Sequence, residues 1–355
     1  MEQAPDHEPP LEPVVIRLGR MGDTMLLQPL LGRLRERYGN PCCLLAEGPW
    51  PRPMYAADPA VAEILQLSNP RQPLLLSPQR WLAVAALRRK RQAPFYVCEP
   101  EPRSVQKIQR LLALAGVAPE NCVSLGAPTR GVTHWADRLL QFGEQTPPAF
   151  QMVESAPSPP AAVPRFCLTE QDHLDAQAWR ARCLPGSGPL LLVQPANKRT
   201  MRWNGVRAQA DDDKAWPLEC WGALLKRIAD ARPDLQILLC GTQAERRHLQ
   251  AIRHAASAPA SVTVVAGELP LRRLAAVLAQ AESMLSVDTG PAHIAAAVDC
   301  PLIVMYGKAD PRQWLPRSLS TPVWALGGPP TRHRVDSIPV DEVFAAWLSL
   351  PRRSR

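Results

Sequence analysis

The sequence predicts an α/β protein with two Rossmann-like, doubly wound domains. Short apolar segments typical of buried strands alternate with amphipathic helical segments, and this alternation predicts right-handed βαβ units and parallel sheets. The alternation stops between residues 149 and 164, where Pro, Ala and Ser predominate, and then begins again. A chain of 355 residues is long enough for two hydrophobic cores, so this break predicts a linker between two domains.

The first domain is predicted to span residues 1–165. It begins with a buried strand at Pro13–Leu18, followed by a glycine loop at Gly19–Gly22 and an amphipathic helix from Asp23 to about Tyr38. The other elements predicted for this domain are strands at Cys42–Ala46, Glu63–Leu67 and Phe95–Glu99, and helices at Pro78–Arg91 and Arg103–Ala115.

The second domain is predicted to span residues 166–340. Its predicted strands are Leu190–Gln194, Leu235–Cys240, Val262–Ala266, Met284–Val287 and Leu302–Tyr306, and its predicted helices are Leu218–Ala231, Ala244–Ala256, Leu271–Ala281 and Pro291–Val298. A last helix within 341–355 carries enough apolar residues to dock, and packing back on the first domain is one expectation. Two such domains are expected to face a cleft, with ligands outside the carboxyl ends of the strands.

Composition and charge narrow the class of protein. Hydrophobic residues at 46% and charged residues at 21% are typical of a folded globular protein and argue against disorder. No apolar run is long enough to span a bilayer, and the acidic N-terminus does not resemble a signal peptide, so a cytoplasmic location is expected. The nine cysteines contain no C-x-x-C pair, which favours reduced thiols. A net charge of +8 favours an anionic partner, whether nucleic acid, a phosphorylated substrate or an acidic membrane face.

The segment around Asp288 is the most informative part of the chain. A polar turn, Ser286-Val-Asp-Thr-Gly290-Pro-Ala-His293, lies between a short apolar strand and an alanine-rich helix. Helix N-termini attract anions because their first amides lack partners and the peptide dipoles converge there. The turn therefore fits a phosphate site, with Asp288 on a ribose hydroxyl or a backbone amide. It fits equally an ordinary cap, with Asp288 or Thr289 as the N-cap residue.

Asp23 is the corresponding candidate in the first domain. It follows the predicted first strand and opens a helix, so its carboxylate is expected on the cleft side, where it could take a proton from a hydroxyl nucleophile. A simple N-cap role explains the same position. The loop before it lacks the third glycine of a dinucleotide fingerprint and the Gly-Lys-Ser/Thr of a P-loop, so neither of those sites is predicted.

Two further polar positions lie at strand-to-helix turns of the second domain. Lys214 precedes a helix expected to begin at Pro217, and as a mobile cation it suits a leaving diphosphate. Glu245 follows another strand and could accept hydrogen bonds from a ribose, although an acid in a first helical turn is also a routine dipole partner. The acids Asp211–Asp213 are interpreted as a solvated face rather than a metal site.

The remaining charged residues carry weaker signals. His293 could contact a phosphate or be a structural histidine. The run Arg88–Arg91, with Arg103, Lys107 and Arg110, gives the first domain cationic helix faces that could meet a phosphorylated acceptor or a membrane, or simply be solvated. No spacing matches a zinc site or a G-x-S-x-G nucleophile, and no nucleic-acid module is recognisable, so neither a metal nor a nucleic-acid partner is expected.

Taken in order, these junctions resemble glycosyltransferase family 9, the ADP-heptose:lipopolysaccharide heptosyltransferases. The resemblance is carried by V-V-I-R-L-G-R-M-G-D-T near the start, D-K-A-W-P before a helix, the G-T-Q-A-E turn, and S-V-D-T-G-P-A-H-I-A-A-A followed by P-L-I-V-M-Y-G-K-A-D-P-R-Q-W. Similarity of layout covers nearly the whole chain, whereas close identity is confined to these segments.

The resemblance implies a GT-B architecture and an inverting, metal-independent heptosyl transfer from ADP-heptose to a lipopolysaccharide core or similar saccharide, with no cofactor. By resemblance Asp23 is the general base and Lys214 stabilises the departing diphosphate. The residues that it assigns to the donor are Gly22, Glu245, Asp288, Thr289, Gly290 and His293. The implied partners are a nucleotide sugar and an anionic lipid-linked saccharide, with peripheral contact to the inner face of the inner membrane.

Three departures from the family pattern concern the donor pocket and the linker. The chain has Gln194-Pro-Ala-Asn197 and an extended loop over 197–213, an expanded proline-rich linker, and Lys308 where a small residue or proline is common. A sugar other than heptose is therefore an open alternative. A second class of function also stays open, a non-catalytic member of the same fold that binds a nucleotide sugar or a saccharide.

Overall fold

The computed structural model describes residues 11–67, 78–126, 131–150, 162–184, 186–202, 205–206 and 211–353. The chain divides into two compact units, Met1–Pro164 and Arg165–Arg355. Most of the proline-rich stretch that the sequence marks as a linker, residues 151–161, lies outside the described residues. Each unit contains one parallel sheet with helices packed against it, so the predicted fold class of two Rossmann-like α/β domains is confirmed.

The first unit is built on a five-stranded parallel sheet with the order β3-β2-β1-β4-β5. Its strands are β1 (Val14–Arg17), β2 (Cys42–Glu47), β3 (Val61–Leu67), β4 (Phe95–Val97) and β5 (Cys122–Ser124). Its helices are α1 (Met21–Met25), α2 (Gln28–Tyr38), α3 (Pro51–Tyr55), α4 (Pro78–Arg89), α5 (Pro102–Leu114) and α6 (Trp135–Phe142), with a 3-10 turn at Pro119–Asn121.

The second unit is built on a six-stranded parallel sheet with the order β10-β9-β6-β11-β12-β13, and a small antiparallel hairpin of β7 and β8 lies apart from it. Its strands are β6 (Leu190–Gln194), β7 (Met201–Arg202), β8 (Gly205–Val206), β9 (Gln236–Leu239), β10 (Val262–Val264), β11 (Ser283–Val287), β12 (Leu302–Tyr306) and β13 (Val323–Gly327). Its helices are α7 (Glu170–Cys183), α8 (Leu218–Ala231), α9 (Arg246–Ala255), α10 (Leu271–Leu278), α11 (Gly290–Ala297), α12 (Pro311–Trp314) and α13 (Val340–Ser349), with 3-10 turns at Gln243–Glu245 and Val335–Ser337.

The central strands are predominantly apolar because helices cover both faces of each sheet. Every residue of β1, β6, β11 and β12 is buried. The last helix, for which the sequence left packing on the first domain open, belongs to the second unit. It packs on α8 and contributes Val343 and Trp347 to the core there.

The helix predicted from Asp23 to Tyr38 is wrong as a continuous element. The chain forms two helices, α1 and α2, separated at Leu26 and Leu27. Proline has no backbone N–H, so Pro29 cannot donate the hydrogen bond that would continue α1 into the next turn. The break leaves Asp23 in a helix of one turn rather than at the start of a long one.

The strand order places two crevices at the carboxyl ends of the sheets. In doubly wound sheets ligands bind where the strand order reverses. In the first unit the reversal lies between β1 and β4, and in the second unit it lies between β6 and β11. The segments that follow these four strands hold Asp23, Glu99, Asn197 and Asp288.

Candidate functional site

The crevice of the first unit is bordered by the turn after β1. Gly19 lies so close to its neighbours that a Cβ atom there would stand 2.7 Å from Cβ of Asp23 and 2.8 Å from Nε of Arg17. Glycine therefore lets the turn fold tightly enough to bring the end of β1 against the first turn of α1. Gly22, which the resemblance assigns to the donor, is the second residue of α1, and its carbonyl accepts a hydrogen bond from the Leu26 amide at 3.0 Å.

Asp23 is the third residue of α1, and both of its carboxylate oxygens are engaged. Nη2 of Arg17 donates to Oδ1 at 3.0 Å, and the backbone amide of Arg20 donates to Oδ2 at 2.9 Å. The second contact is a capping interaction, so the structural alternative that the sequence left open is present, at the third helical position rather than at the N-cap. A carboxylate has roughly four acceptor positions, and the Asp23 side chain is 21% exposed, so acceptor capacity toward solvent is left over.

Glu99 is a second carboxylate at this crevice that the sequence reasoning did not single out. It follows β4 and is buried. Its Oε1 accepts from the Leu18 amide at 2.5 Å, and its Oε2 lies 3.4 Å from Nη1 of Arg17. Burial raises the pKa of this carboxyl, and the Arg17 guanidinium opposes that rise. The position of an acid directly after a buried strand is the sequence signal that could have identified Glu99.

Arg17 is thus the centre of the first-unit cluster. Its guanidinium contacts Asp23 and Glu99, donates to the Cys98 carbonyl at 2.9 Å, and lies 5.4 Å from the centre of the Trp135 ring. An arginine on the last position of β1 therefore holds one carboxylate on each side of the strand reversal. The cluster can present a carboxylate at a fixed position beside a bound molecule.

The crevice of the second unit is bordered by the Asp288 turn, as the sequence predicts. Asp288 follows β11, and its amide donates to the Met305 carbonyl at 3.0 Å. Thr289 is the N-cap residue of α11 with extended backbone, and its hydroxyl lies 3.2 Å from that of Ser286 instead of capping the helix. Within the described part of the chain, the amides of Thr289 and Gly290 have no acceptor. Two N–H groups at a helix start are therefore available to an anion.

The side chain of Lys214 contacts this turn at Asp288. Its ammonium is 2.5 Å from Oδ2 of Asp288 and 3.1 Å from the Asp288 carbonyl, and the two side chains are 18% and 13% exposed. The lysine is therefore held in place rather than being the mobile cation that the sequence suggested. The pair joins residues 74 positions apart, which the linear sequence gave no means of predicting.

Two of the three acids that precede Lys214 are not the solvated face that the sequence predicts, whereas Asp211 is exposed. Asp212 is 1% exposed and Asp213 is 6% exposed. Oδ2 of Asp212 accepts from the Asn197 amide side chain at 2.8 Å, and Oδ1 of Asp213 accepts from Arg199 at 2.8 Å. The two acids thus join the start of the 197–213 loop, at Asn197 and Arg199, to its end. These contacts fix the backbone that leads into Lys214.

Asp213 also ties this loop to the end of β12. Its Oδ2 accepts from the Lys308 amide at 2.9 Å, and a Cβ on Gly307 would stand 2.5 Å from the same oxygen. Although burial opposes ionisation, the Lys308 amide and the charge of Arg199 lower the pKa of this carboxyl. The side chain of Lys308, the residue that departs from the family pattern, is exposed at this crevice.

The other two predicted donor residues are more enclosed. Glu245 is 6% exposed, and its Oε2 accepts from the Thr242 amide at 2.6 Å, so it caps the short 3-10 turn in addition to the dipole role that the sequence left open. His293 lies in the first turn of α11 and is 7% exposed. Both residues lie on elements that start at carboxyl ends of strands, Glu245 after β9 and His293 after β11.

One group among the described residues brings metal-ligating atoms together, and it lies away from both crevices. Glu12, Cys43 and Glu63 gather at the amino ends of β1, β2 and β3. The ammonium of Lys90 stands 2.6 Å from Glu12 and 3.0 Å from Glu63, so the position between these carboxylates already holds a cation.

Comparison with known proteins supports the resemblance. Residues 199–338 match the model of glycosyltransferase family 9 (heptosyltransferase). Lipopolysaccharide heptosyltransferase 1 of Escherichia coli K12 is 36% identical over 106 residues, which cover 30% of this chain and 32% of that protein. The match therefore spans about a third of the length of these curated relatives.

Solved structures extend the similarity of fold to nearly the whole chain. ADP-heptose lipopolysaccharide heptosyltransferase II of E. coli gives a TM-score of 0.70 at 20% identity, covering 96% of this chain and 98% of that one. E. coli heptosyltransferase WaaC with ADP gives a TM-score of 0.64 at 18% identity, covering 95% and 99%. The resemblance to glycosyltransferase family 9 (heptosyltransferase) is thus confirmed in sequence for residues 199–338, and the two Rossmann-like units share the fold of these solved heptosyltransferases.

Proposed function

We propose that the protein is an inverting glycosyltransferase that moves heptose, or a related sugar, from ADP-heptose to a lipopolysaccharide core or a similar lipid-linked saccharide. The observation that carries the proposal is the position of Lys214 on the Asp288 turn, at the start of α11 and within the segment that matches the family model. A fixed cation and two available amides converge there, which is the environment that a nucleoside diphosphate requires.

The second unit would hold the donor. The diphosphate would lie against Lys214 and the amides of Thr289 and Gly290, with Glu245 and His293 near the nucleoside. Relatives with solved structures support this donor class, since one was determined with ADP and another of the same enzyme with ADP-2-deoxy-2-fluoro heptose. Exposed Lys308 would add a second cation beside the diphosphate or the sugar.

The first unit would supply the base. In the proposed reaction an acceptor hydroxyl attacks the anomeric carbon on the face opposite the diphosphate. A new C–O bond forms, the bond from that carbon to the diphosphate oxygen breaks, and the electron pair leaves with ADP. Asp23 takes the hydroxyl proton. Arg17 and the Arg20 amide hold the carboxylate during this step, and Glu99 holds Arg17 from its other side.

The proposal includes metal independence. The negative charge that develops on the leaving diphosphate would be balanced by Lys214 and the helix amides, which replace a divalent cation. These groups belong to the chain itself, so the reaction would need no cofactor. The protein would work from the cytoplasmic side of the inner membrane; within the described residues no helix is long and apolar enough to cross a bilayer.

One observation favours the alternative, a non-catalytic member that binds a nucleotide sugar or a saccharide. Both oxygens of Asp23 already have structural partners, so a purely structural role accounts for the residue without catalysis. The two functions differ in turnover and agree in nucleotide binding.

A thermal-shift panel followed by a transfer assay separates the possibilities. A ligand that binds only the folded state raises the melting temperature by mass action. We expect ADP and ADP-heptose to raise it more than UDP or GDP, and a lipid A precursor that carries the inner-core sugar to accept heptose. ADP binding without transfer to any core saccharide would favour the non-catalytic alternative, and a preference for UDP or GDP would overturn the donor assignment.

A further inference from the structure

The outer face of α4 combines exposed apolar side chains with basic ones. Leu82 is 70% exposed and Trp81 is 43% exposed, while Ala83, Val84 and Leu87 on the opposite side are buried in the core. Arg88 and Arg89 follow Trp81 and Leu82 at seven-residue spacing, so they lie on the same face of the helix. Leu82 is more exposed than any other large apolar side chain among the described residues.

The neighbouring helix α5 presents a basic stripe. Arg103, Lys107 and Arg110 recur at spacings of four and three residues, and Leu114, 42% exposed, continues the stripe. The opposite side of α5 is buried in the core. None of the three cations has an ion-pair partner in the part of the chain that the structure describes.

A direct contact joins the two faces into one surface. Nη2 of Arg88 donates to the Leu114 carbonyl at 2.9 Å, so the end of α4 lies against the end of α5. We call this the α4–α5 face. It is defined by Trp81, Leu82, Arg88, Arg89, Arg103, Lys107, Arg110 and Leu114.

From these contacts we infer that the α4–α5 face docks on an anionic lipid bilayer. Five cations and three exposed apolar side chains on one surface match the two components of such a membrane, charged head groups and the acyl boundary beneath them. Tryptophan and leucine beside arginine are typical of helices that lie in that interface. The inference deepens the proposed function, because a lipid-linked acceptor is presented at such a surface. Membrane binding itself is argued from the α4–α5 face, and only its biological purpose rests on the proposed function.

Charge excludes the other obvious occupants of this face. A symmetric contact between two copies of the chain would set five cations against five, with Glu101 as the one exposed acid in α5 or its N-cap. Nucleic acid would pair with the arginines but would leave Leu82 and Leu114 without apolar partners. A bilayer satisfies both kinds of side chain at once.

Co-sedimentation of the full chain with vesicles tests the inference. We expect the protein to bind vesicles of phosphatidylethanolamine and phosphatidylglycerol and not vesicles of phosphatidylcholine, and to be released by high salt. Arg88→Glu with Arg89→Glu changes the charge of the face by four units and should lower the partition coefficient by about three orders of magnitude, at about a factor of five for each unit. Trp81→Ala with Leu82→Ala should lower it at least about tenfold through lost apolar burial, at any salt concentration.

Matched controls separate this surface from a general effect of net charge. Arg182→Glu with Arg247→Glu makes the same change in net charge on exposed helices of the second unit, and Leu174→Ala removes a leucine that is 50% exposed there. Both controls should bind vesicles as the unaltered protein does. Circular dichroism and thermal unfolding would show that each variant is folded.

Three outcomes would overturn the inference. These are equal binding to phosphatidylcholine vesicles, equal loss of binding in the control variants, and a change of oligomeric state in the Trp81/Leu82 variant without a change in vesicle binding. Binding of duplex DNA in place of the vesicles would assign the face to nucleic acid instead. The vesicle experiment contains neither donor nor acceptor, so its failure leaves the proposed transfer standing, and failure of transfer leaves the membrane surface standing.

Discussion

The two strand-to-helix junctions that carry the candidate site are built in opposite ways. At the end of β1, Asp23 is held by Arg17, six residues earlier, and by the amide of Arg20. At the end of β11, Asp288 is held by Lys214, which is 74 residues away on another loop. The first junction is a local structure, whereas the second is assembled by the tertiary fold. Local patterns can therefore anticipate the first, and only the fold reveals the partner in the second.

The difference also concerns what each carboxylate can do. Asp23 shares its arginine with Glu99, so the Arg17 guanidinium is not available to a ligand without disrupting the cluster. Lys214 instead has one acidic partner and lies beside two amides without acceptors among the described residues. The first junction therefore suits a fixed base, and the second suits the binding of an anion beside the lysine and the helix amides.

The largest effect is expected from Asp23→Asn. The amide oxygen can still accept from the Arg20 backbone, so folding and ADP binding should be nearly unchanged, while turnover should fall by about two to four orders of magnitude because the base is lost. Initial rates of heptosyl transfer measure the change. Glu99→Gln is the matched control, since it removes the other carboxylate from Arg17. A similar fall in both variants, or a fall below tenfold for Asp23→Asn, would reduce Asp23 to a structural partner of Arg17.

Lys214→Ala tests the second junction. Turnover should fall by about two to three orders of magnitude, because the leaving diphosphate loses a fixed positive charge near its developing negative charge. Lys308→Ala removes an exposed cation from the same crevice and should have a much smaller effect. If the two lysine variants lost activity equally, the contact of Lys214 with the Asp288 turn would not explain the stabilisation of the leaving diphosphate.

Asp288→Ala distinguishes a positioning role from competition. If Asp288 positions Lys214, the alanine variant should weaken ADP binding by about tenfold, on the scale of one hydrogen bond to a charged group, and Asp288→Asn should weaken it less because its amide oxygen can still accept from the lysine. Isothermal titration with ADP measures both. Tighter binding in the alanine variant would show that Asp288 competes with the diphosphate for the lysine instead.

Gly19→Ala asks how tightly the first junction is packed. The added Cβ would stand 2.7 Å from Cβ of Asp23, so the turn must open, and the free energy of unfolding should fall by about 1–3 kcal/mol. Urea unfolding measures the loss. Gly32→Ala is the matched control, because a Cβ there meets nothing within 4 Å and lies in α2, where alanine is the better helix former. Equal stability of the two variants would contradict the close approach at Gly19.

The sequence predicted most of the central strands because a buried parallel strand is mostly apolar. Leu190–Gln194 and Leu302–Tyr306 have the predicted ends. It missed peripheral elements such as α7, although Thr169 and Asp172 form a capping box at its start, and β13, whose five half-buried residues give a weak apolar signal. Periodicity reports burial, so elements that are only partly buried are the hardest to recognise.

The site shows the same limit at the level of side chains. Asp288 and its turn could be recognised because the polar residues are contiguous in the chain. Asp212 and Asp213 were interpreted as solvated because three consecutive acids usually are, and their burial depends on Asn197 and Arg199 across a loop. The roles given to Asp23, Lys214 and the donor residues stay predictions until the variants above are measured.

The smallest effect is expected from chelation, which should leave turnover unchanged in excess EDTA. At the second junction the charge of the diphosphate meets Lys214 and the helix amides, which chelation cannot remove. The carboxylates of Glu12 and Glu63 surround the ammonium of Lys90 at the amino ends of their strands, so loss of an ion there would not reach the crevices. The matched test measures turnover of Lys214→Ala with and without Mg²⁺. Magnesium should not restore the turnover of this variant. Loss of turnover in EDTA, restored by Mg²⁺ or Mn²⁺, would mean that a metal rather than Lys214 balances the leaving group, and the two junctions would then no longer suffice for the reaction.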